Sequence, residues 1–387
     1  MLRSPIKITE VRALCDFDRL RPAWNELVEQ LELPSPFHSW EWNRTWWDHF
    51  GRGRRLRILL FKRAQRLLGI GQFYERRLAA GAGPRLLIPL GWEDDVRKQG
   101  LTEQWELLFP TEHREVLMEA LASWLAGTDW SLAVLPSLPA DTSVTGGLGR
   151  YLAAAGSPVA SPYRELPASW ETLERDLNKS MRDNVRYYPR LMVRSGHPFS
   201  FEVAESADDV RQQLPVLFEL HRTRADTPGG VRHFDKFRFA DRQAFFRAVA
   251  PELAEAGQLK IGTIRVGGEA VAAQLWMEKG ETMFIYCSGY LPAWSKYSVA
   301  MIATQEALKH GIRRQMRQVE FLRGLYQSKE RWDARVHRNS HLLLAHRQRL
   351  VSRLLAVPWL RRRFHFEGVA TRRPAAISAP LVGGSPE

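Results

Sequence analysis

Val319-Glu320-Phe321-Leu322-Arg323-Gly324-Leu325-Tyr326-Gln327-Ser328-Lys329-Glu330-Arg331-Trp332 is the stretch on which the fold turns. The apolar residues around Glu320 predict a short strand, Gly324 a turn, and Tyr326 onward a helix. A helix-like run precedes it, from Ser298 to His310, with Gly311 at its stop. One acid, two basic side chains and a glycine turn therefore fall together between a strand and a helix.

Working outward, three strands precede that helix: Gln258–Val266, Ala270–Glu278 and Thr282–Gly289. Gly267-Gly268 and Lys279-Gly280 supply tight reversals between them. Before these come a strand at Phe199–Ala204 and helices at Asp208–Arg222 and Lys236–Ala256. A closing strand is expected near Asn339–Ala345. The first half has the same rhythm. Strands are predicted at Ile6–Arg12, Leu56–Lys62, Leu67–Arg76, Arg85–Gly91 and Leu132–Leu135. Helices are predicted at Asp18–Leu33, Ser39–Phe50, Glu112–Leu125 and Leu148–Ala155. No repeat exists at the level of residues. The expected architecture is two α/β units, each a mixed, mainly antiparallel sheet flanked by helices, joined near Ser161–Trp170. A helical bridge spans Ser169–Met192. The expected division is 1–165, 166–348 and an Arg-rich, partly disordered tail at 349–387.

The 387 residues carry 56 basic and 43 acidic side chains, a net +13. Eight arginines and one glutamate between Arg347 and Arg373 account for about half of it, so the charge describes the tail more than the body. The two cysteines are far apart and have neither metal nor disulfide spacing. The apolar runs fall short of the ~20 residues of a membrane span, and Met1–Glu10 lacks the apolar core of a signal peptide. These readings predict a soluble cytoplasmic protein. Between its arginines the tail carries Leu354, Leu355, Val357, Trp359 and Leu360. It could lie on an anionic membrane, although Pro358 interrupts a long helix there.

Three passages carry a family resemblance. One is Pro36-Phe37-His38-Ser39-Trp40-Glu41-Trp42, running to Trp46-Trp47-Asp48-His49-Phe50-Gly51. The second is Asn178-Lys179-Ser180-Met181-Arg182-Asp183-Asn184-Val185-Arg186. The third runs from Tyr297-Ser298 through Gly311 to Glu320-Phe321-Leu322-Arg323-Gly324 and Tyr326, Lys329 and Trp332. In this order they resemble GNAT-superfamily acyltransferases of the CelD-like branch, which is associated with cellulose biosynthesis and related to FemAB-type transferases. The resemblance implies tandem GNAT-like units. It implies transfer of an acyl group from acyl-CoA or acyl-carrier protein to an amine or hydroxyl, with no permanently bound cofactor and no metal. The setting it implies is polysaccharide or envelope synthesis, with no specific nucleic acid as partner. The first unit has no counterpart of the Glu320–Gly324–Lys329 cluster, so chemistry is expected in the second.

In such enzymes the donor's pyrophosphate rests on backbone N–H groups where a strand gives way to a helix. Here that entry is Lys296, Tyr297 and Ser298. Val299-Ala300 follows where relatives often carry Pro-Gly, and a plain N-capped helix is the alternative. Glu320 could accept a proton from the acceptor, or pair with Arg323 or Lys329 as a structural ion pair. Arg323, Tyr326 and Lys329 could hold an anionic substrate group. Arg182 and Arg186 form with Lys179 a basic stripe that suits an anionic ligand or merely water. His221 could act as a base, or cap its helix end beside Arg224, another candidate for substrate. Thr227-Pro228-Gly229-Gly230 reads as a lid. Tyr286 could protonate a leaving thiolate, or be an ordinary cross-strand aromatic. Cys287, predicted on the opposite strand face, has no paired base. Trp40, Trp42, Trp46 and Trp47 predict a packed interface between the units, or an aromatic groove. The alternative reactions are FemAB-like aminoacyl transfer from charged tRNA, and a non-catalytic GNAT-like protein that binds a membrane surface or nucleic acid.

Overall fold

The two series of strands join into one sheet. A computed structural model describes residues 5–77, 83–93, 100–139, 152–227 and 234–345. The first half runs β1 (Ile6–Val11), α1 (Leu14–Arg19), α2 (Arg21–Glu29), α3 (Trp40–Phe50), β2 (Arg55–Arg63), β3 (Arg66–Arg77), β4 (Arg85–Pro89), α4 (Arg114–Gly127), β5 (Leu132–Pro139) and β6 (Leu152–Glu165). The second runs α5 (Trp170–Asp176), α6 (Lys179–Arg194), β7 (Phe199–Ala204), α7 (Ala207–Ala225), α8 (Ala240–Glu255), β8 (Leu259–Val266), β9 (Glu269–Lys279), β10 (Thr282–Tyr290), α9 (Val299–Arg313), β11 (Gln318–Glu320), α10 (Gln327–Glu330) and β12 (Arg335–Ala345).

The strand order is β1-β2-β3-β4-β5-β12-β6-β11-β10-β9-β8-β7. Each half contributes an antiparallel run that ends in a parallel pair, β4–β5 in one and β10–β11 in the other. The closing strands are exchanged. β12, from the end of the second half, lies against β5; β6, from the end of the first, lies against β11; the two pair with each other between them.

Local sequence explains much of this. Gly267 (φ 57°), Gly268 (φ 85°) and Gly280 (φ 56°) turn the β8–β9–β10 meander in the left-handed region that side chains resist. Ser39 caps α3 through Trp42 N–H, Ser169 caps α5 through Thr172 N–H, and Asn178 caps α6 through Met181 N–H. The apolar stripe of α3 buries Trp42 edge-on against Phe245 and Phe246 of α8, with centroids 5.0 and 5.9 Å apart. One core cluster thereby runs through both halves. A second, of Met181, Val185, Met192, Ile302, Leu308, Val319 and Trp332, packs α6 and α9 onto the strands of the second half. Truncating Trp42 would cost about 3–5 kcal/mol, the usual range for a buried aromatic.

Several expectations are corrected. The predicted helix Leu148–Ala155 and the linker after it are the strand β6, from Leu152 onward; long-range pairing with β11 and β12 overrides a weak local pattern. The helix predicted over Asp18–Leu33 breaks into α1 and α2, because Pro22 starts a new helix. The bridge over Ser169–Met192 breaks at Leu177–Asn178. Gly311 does not stop α9 but lies within it. A Cβ there would come 2.6 Å from Met283 Sδ, so any other residue would have to displace the Met283 side chain. Tyr286 and Cys287 join the same core cluster, because a bulge between Ile285 and Cys287 breaks the alternation. The predicted lid beyond Thr227 and the Arg-rich tail lie outside the described residues. No helix among the described residues is long and apolar enough to cross a membrane.

Candidate functional site

β10 and β11 pair in register only from Thr282–Gln318 to Phe284–Glu320. β10 then continues along β9 to Tyr290. The chain after Glu320 instead follows β6: Phe321 N–H donates to Pro162 O (2.8 Å) and Gly324 N–H to Ala160 O (3.0 Å). Leu322 (φ 61°) and Gly324 (φ 96°) both take left-handed backbone to make this turn. For leucine that conformation is strained, and such strain concentrates at functional sites. The result is a gap between two strands that were neighbours one residue earlier.

The segment Leu101–Glu103 of the first half crosses this gap. Tyr286 Oη donates to Leu101 O (2.9 Å), Arg323 Nη2 donates to Thr102 O (2.5 Å), and Arg323 N–H donates to Glu103 Oε2 (3.2 Å). Lys236 closes a buried ion pair with Glu103 and lies 4.1 Å from the centroid of the Tyr286 ring. Lys329 donates from Nζ to Leu322 O (3.2 Å) and Arg323 O (2.7 Å), with Tyr326 exposed beside it at 5.4 Å. One carboxylate thus stands among three cations. Burial works against the ionised Glu103, yet Lys236, Arg323 and Lys329 together hold its pKa below the usual carboxylate range. Burial, with repulsion from Lys236 and Arg323, outweighs Glu103 at Lys329 and brings its pKa down to about 8. Two of the three Nζ positions of Lys329 are bonded to carbonyls. The third can donate or, in the neutral amine, accept a proton.

The sequence candidates divide between this cluster and other places. Arg323, Tyr326, Lys329 and Tyr286 are in it. Tyr286 is turned away from the donor role expected of it: its hydroxyl hydrogen goes to Leu101 O, and burial raises its pKa well above 10. His221 borders the cluster, with both ring nitrogens engaged. Its Nδ1 bonds Ser288 O (2.8 Å), its Nε2 accepts from Lys236 N–H (3.2 Å), and burial lowers its pKa to about 4. Arg224 binds Ser288 O (2.9 Å) and Ser288 Oγ (3.2 Å), with its guanidinium 5.5 Å from the Tyr290 ring centre. Cys287 is inert, since burial lifts its thiol to about 12.

Arg182 and Arg186 lie elsewhere, on α6, bonded to Arg175 O (2.9 Å) and to Glu174. At the entry to α9, Tyr297 is buried and packs on Trp294, while Lys296 lies 4.9 Å from the Tyr297 ring centre. Ser298 starts the helix from left-handed backbone (φ 51°) without a side-chain cap bond, so it is not the plain N-cap of the alternative reading.

Glu320 does not face the gap cluster. It is fully buried and pairs with His337 of β12 (3.1 Å), and it also accepts from Gln318 Nε2 (2.7 Å). The expected partners Arg323 and Lys329 are turned instead toward Glu103. Glu103 and His337 were not singled out from the sequence, because each meets its partners only across distant strands and loops.

Residues 179–332 match the family model described as "Acetyltransferase (GNAT) domain". No curated protein matches the sequence. Among solved structures, FemX is 9% identical over 91% of this chain and 100% of its own, with a TM-score of 0.62. A conserved protein of unknown function from Bacteroides thetaiotaomicron VPI-5482 is 13% identical over 88% and 99%, with a TM-score of 0.50. The C-terminal domain of a putative lysylphosphatidylglycerol synthetase from Agrobacterium fabrum is 10% identical over 89% and 95%, also at 0.50. At these identities the likeness is one of fold, and it extends over both halves. The family match places a GNAT-type acyltransferase domain at residues 179–332, and the chain is an acyltransferase built on that fold.

Proposed function

We propose that the chain moves an acyl group from an acyl thioester, on coenzyme A or acyl-carrier protein, to an amine or hydroxyl acceptor, and that the reaction takes place in the gap between β10 and β11. Two units, 1–165 and 166–348, frame that gap, and the first supplies Glu103. The observation that carries the reading is Lys329, a half-buried amine with a pKa near 8, held by the carbonyls of the turn that opens the gap. The acceptor's nucleophile attacks the thioester carbonyl and loses its proton. The new C–N or C–O bond forms, the C–S bond breaks, and the thiolate takes its proton from the Lys329 ammonium. Thiols titrate near ~8.5, so that transfer is close to balanced. The resemblance to the CelD-like branch suggests an acceptor in polysaccharide or envelope synthesis, reached from the cytoplasm, with peripheral membrane contact through the tail.

The test pairs Lys329→Met with two donors, an alkyl thioester and an aryl thioester whose thiolate leaves without a proton. A loss of about 10²–10³-fold in kcat is expected with the alkyl donor and little loss with the aryl donor. Equal effects on both donors would remove Lys329 from the acid role.

Aminoacyl transfer from charged tRNA is the second reading. The fold likeness to FemX over 91% of the chain favours it, as does the run of Arg182, Arg186, Arg190 and Arg194 along α6. Turnover of charged tRNA with refusal of every thioester would select it.

A further inference from the structure

The pair between Glu320 and His337 lies outside the cluster around Lys329, and its partners differ sharply in exposure. Glu320 has no exposed side-chain surface, whereas the His337 side chain is 37% exposed. Oε1 of Glu320 serves both Gln318 and His337, and Oε2 is buried without a hydrogen-bond partner. His337 stacks flat on Tyr163, with centroids 3.8 Å and planes 11° apart. Register explains the meeting. Tyr163 stands opposite Glu320 on one side and Arg335 on the other, and His337 stands opposite Ser161, so all project from one face of the exchanged strands.

A carboxylate so buried is costly to keep, and burial raises the pKa of Glu320 against the pull of His337 and Gln318. An ion pair needed only to join two strands is often replaced by an apolar pair without loss. Here the acid is the fixed member and the imidazole the one that reaches solvent. With Glu320 ionised its oxygens only accept hydrogen bonds, and Nε2 then carries the proton toward Glu320 and leaves the lone pair on Nδ1. Nδ1 has no partner among the described residues.

We propose that His337, oriented by Glu320 and by stacking on Tyr163, is the base that takes the proton from the acceptor's amine or hydroxyl, and that Glu320 is a positioning residue. This rests on the acyl-transfer reading and completes its proton balance. The acceptor's proton passes to Nδ1 as the new bond to the acyl carbon forms, while the leaving thiolate draws its proton from Lys329. The geometry supports the pairing of roles. The chain carrying the Leu322 and Arg323 carbonyls runs beside β6, and β12 is the next strand, so two strand spacings, ~10 Å, lie between those backbones and that of His337. Side chains leaning from both could meet one tetrahedral centre.

The test uses full-length protein carrying His337→Ala or Glu320→Gln, with the donor that the wild type turns over. His337→Ala is expected to lower kcat about 10²–10³-fold with the donor KM unchanged, and added imidazole to restore part of the rate. Glu320→Gln is expected to act more mildly, by about tenfold, and to convert the Nε2–H tautomer of His337, read by ¹⁵N NMR, into a mixture. Activity of His337→Ala within about twofold of wild type, or a loss that imidazole does not restore, would overturn the assignment. If the wild type turned over no donor, the acyl-transfer reading itself would have failed. A tautomer insensitive to Glu320→Gln would then overturn the orienting role on its own.

Discussion

Glu103→Gln is the most telling single change, because Glu103 is the anion among Lys236, Lys329 and Arg323. The Glu103 and Lys236 side chains are only 12% and 11% exposed, so water offers little compensation. The amide keeps the volume but removes the charge, leaving buried cations without their counter-ion. Breaking such a pair costs about 3–5 kcal/mol. At ~2.1 cal/mol/K per residue the unfolding entropy of 387 residues is about 0.8 kcal/mol/K. Tm should therefore fall by about 4–6 °C. A Glu103→Leu, Lys236→Met double variant should recover part of that loss, since Lys236 no longer lacks a partner while Arg323 and Lys329 still do. Wild-type stability should also carry an acid signature. The depressed Glu103 pKa adds stability above the unfolded value near ~4.3, and that stability disappears as pH falls through the lower folded value. Scanning calorimetry of the three proteins between pH 3 and 8 reads all of this. A fall of less than about 1 °C at neutral pH for Glu103→Gln would refute the claim that the gap is held by a buried ion pair.

If the Lys329 ammonium delivers the proton, kcat should fall as pH rises through about 8, and in Glu103→Gln the falling limb should move toward acid, because Glu103 favours the ammonium; stopped-flow thiol release reads both. Gly289→Ala would set a Cβ 2.3 Å from His221 N and 2.5 Å from Leu220 C; backbone of α7 cannot yield, so a loss of about 2 kcal/mol or more is expected in urea unfolding. Asn178→Ala removes the cap of α6 and a 2.7 Å bond to Asp333 Oδ1; thermal unfolding should report a loss of about 1–2 kcal/mol.

The meander β8–β9–β10 was legible because glycine turns and alternating strands are local signals. The cap of α3 at Ser39 was legible for the same reason. β6 was not, since its pattern is weak and its place is fixed by β11 and β12. The turn at Gly324 could be read from a glycine set between a strand and a helix, and Lys329 could be singled out there as a cation for an anionic group, not as a proton donor. Glu103 could not: it is 220 residues from Arg323, whose N–H it accepts, and nothing near it in sequence marks it. His337 was missed for a related reason, as its meaning comes from Glu320 and Tyr163 on other strands. The bulge beside Tyr286 likewise defeated the assumption that neighbouring strand residues face opposite ways.

The exchange of closing strands also sets the order in which the newborn chain can become a protein. β5 emerges from the ribosome with one edge waiting for β12, about two hundred residues downstream. At roughly 5–20 residues per second that wait lasts on the order of 10–40 s. During that time β5 and β6 expose unpaired backbone of the kind that recruits other chains. A stop codon just before Arg335 would therefore do more than trim a terminus: it would leave the centre of the sheet open, and aggregation during synthesis is the expected fate of the product.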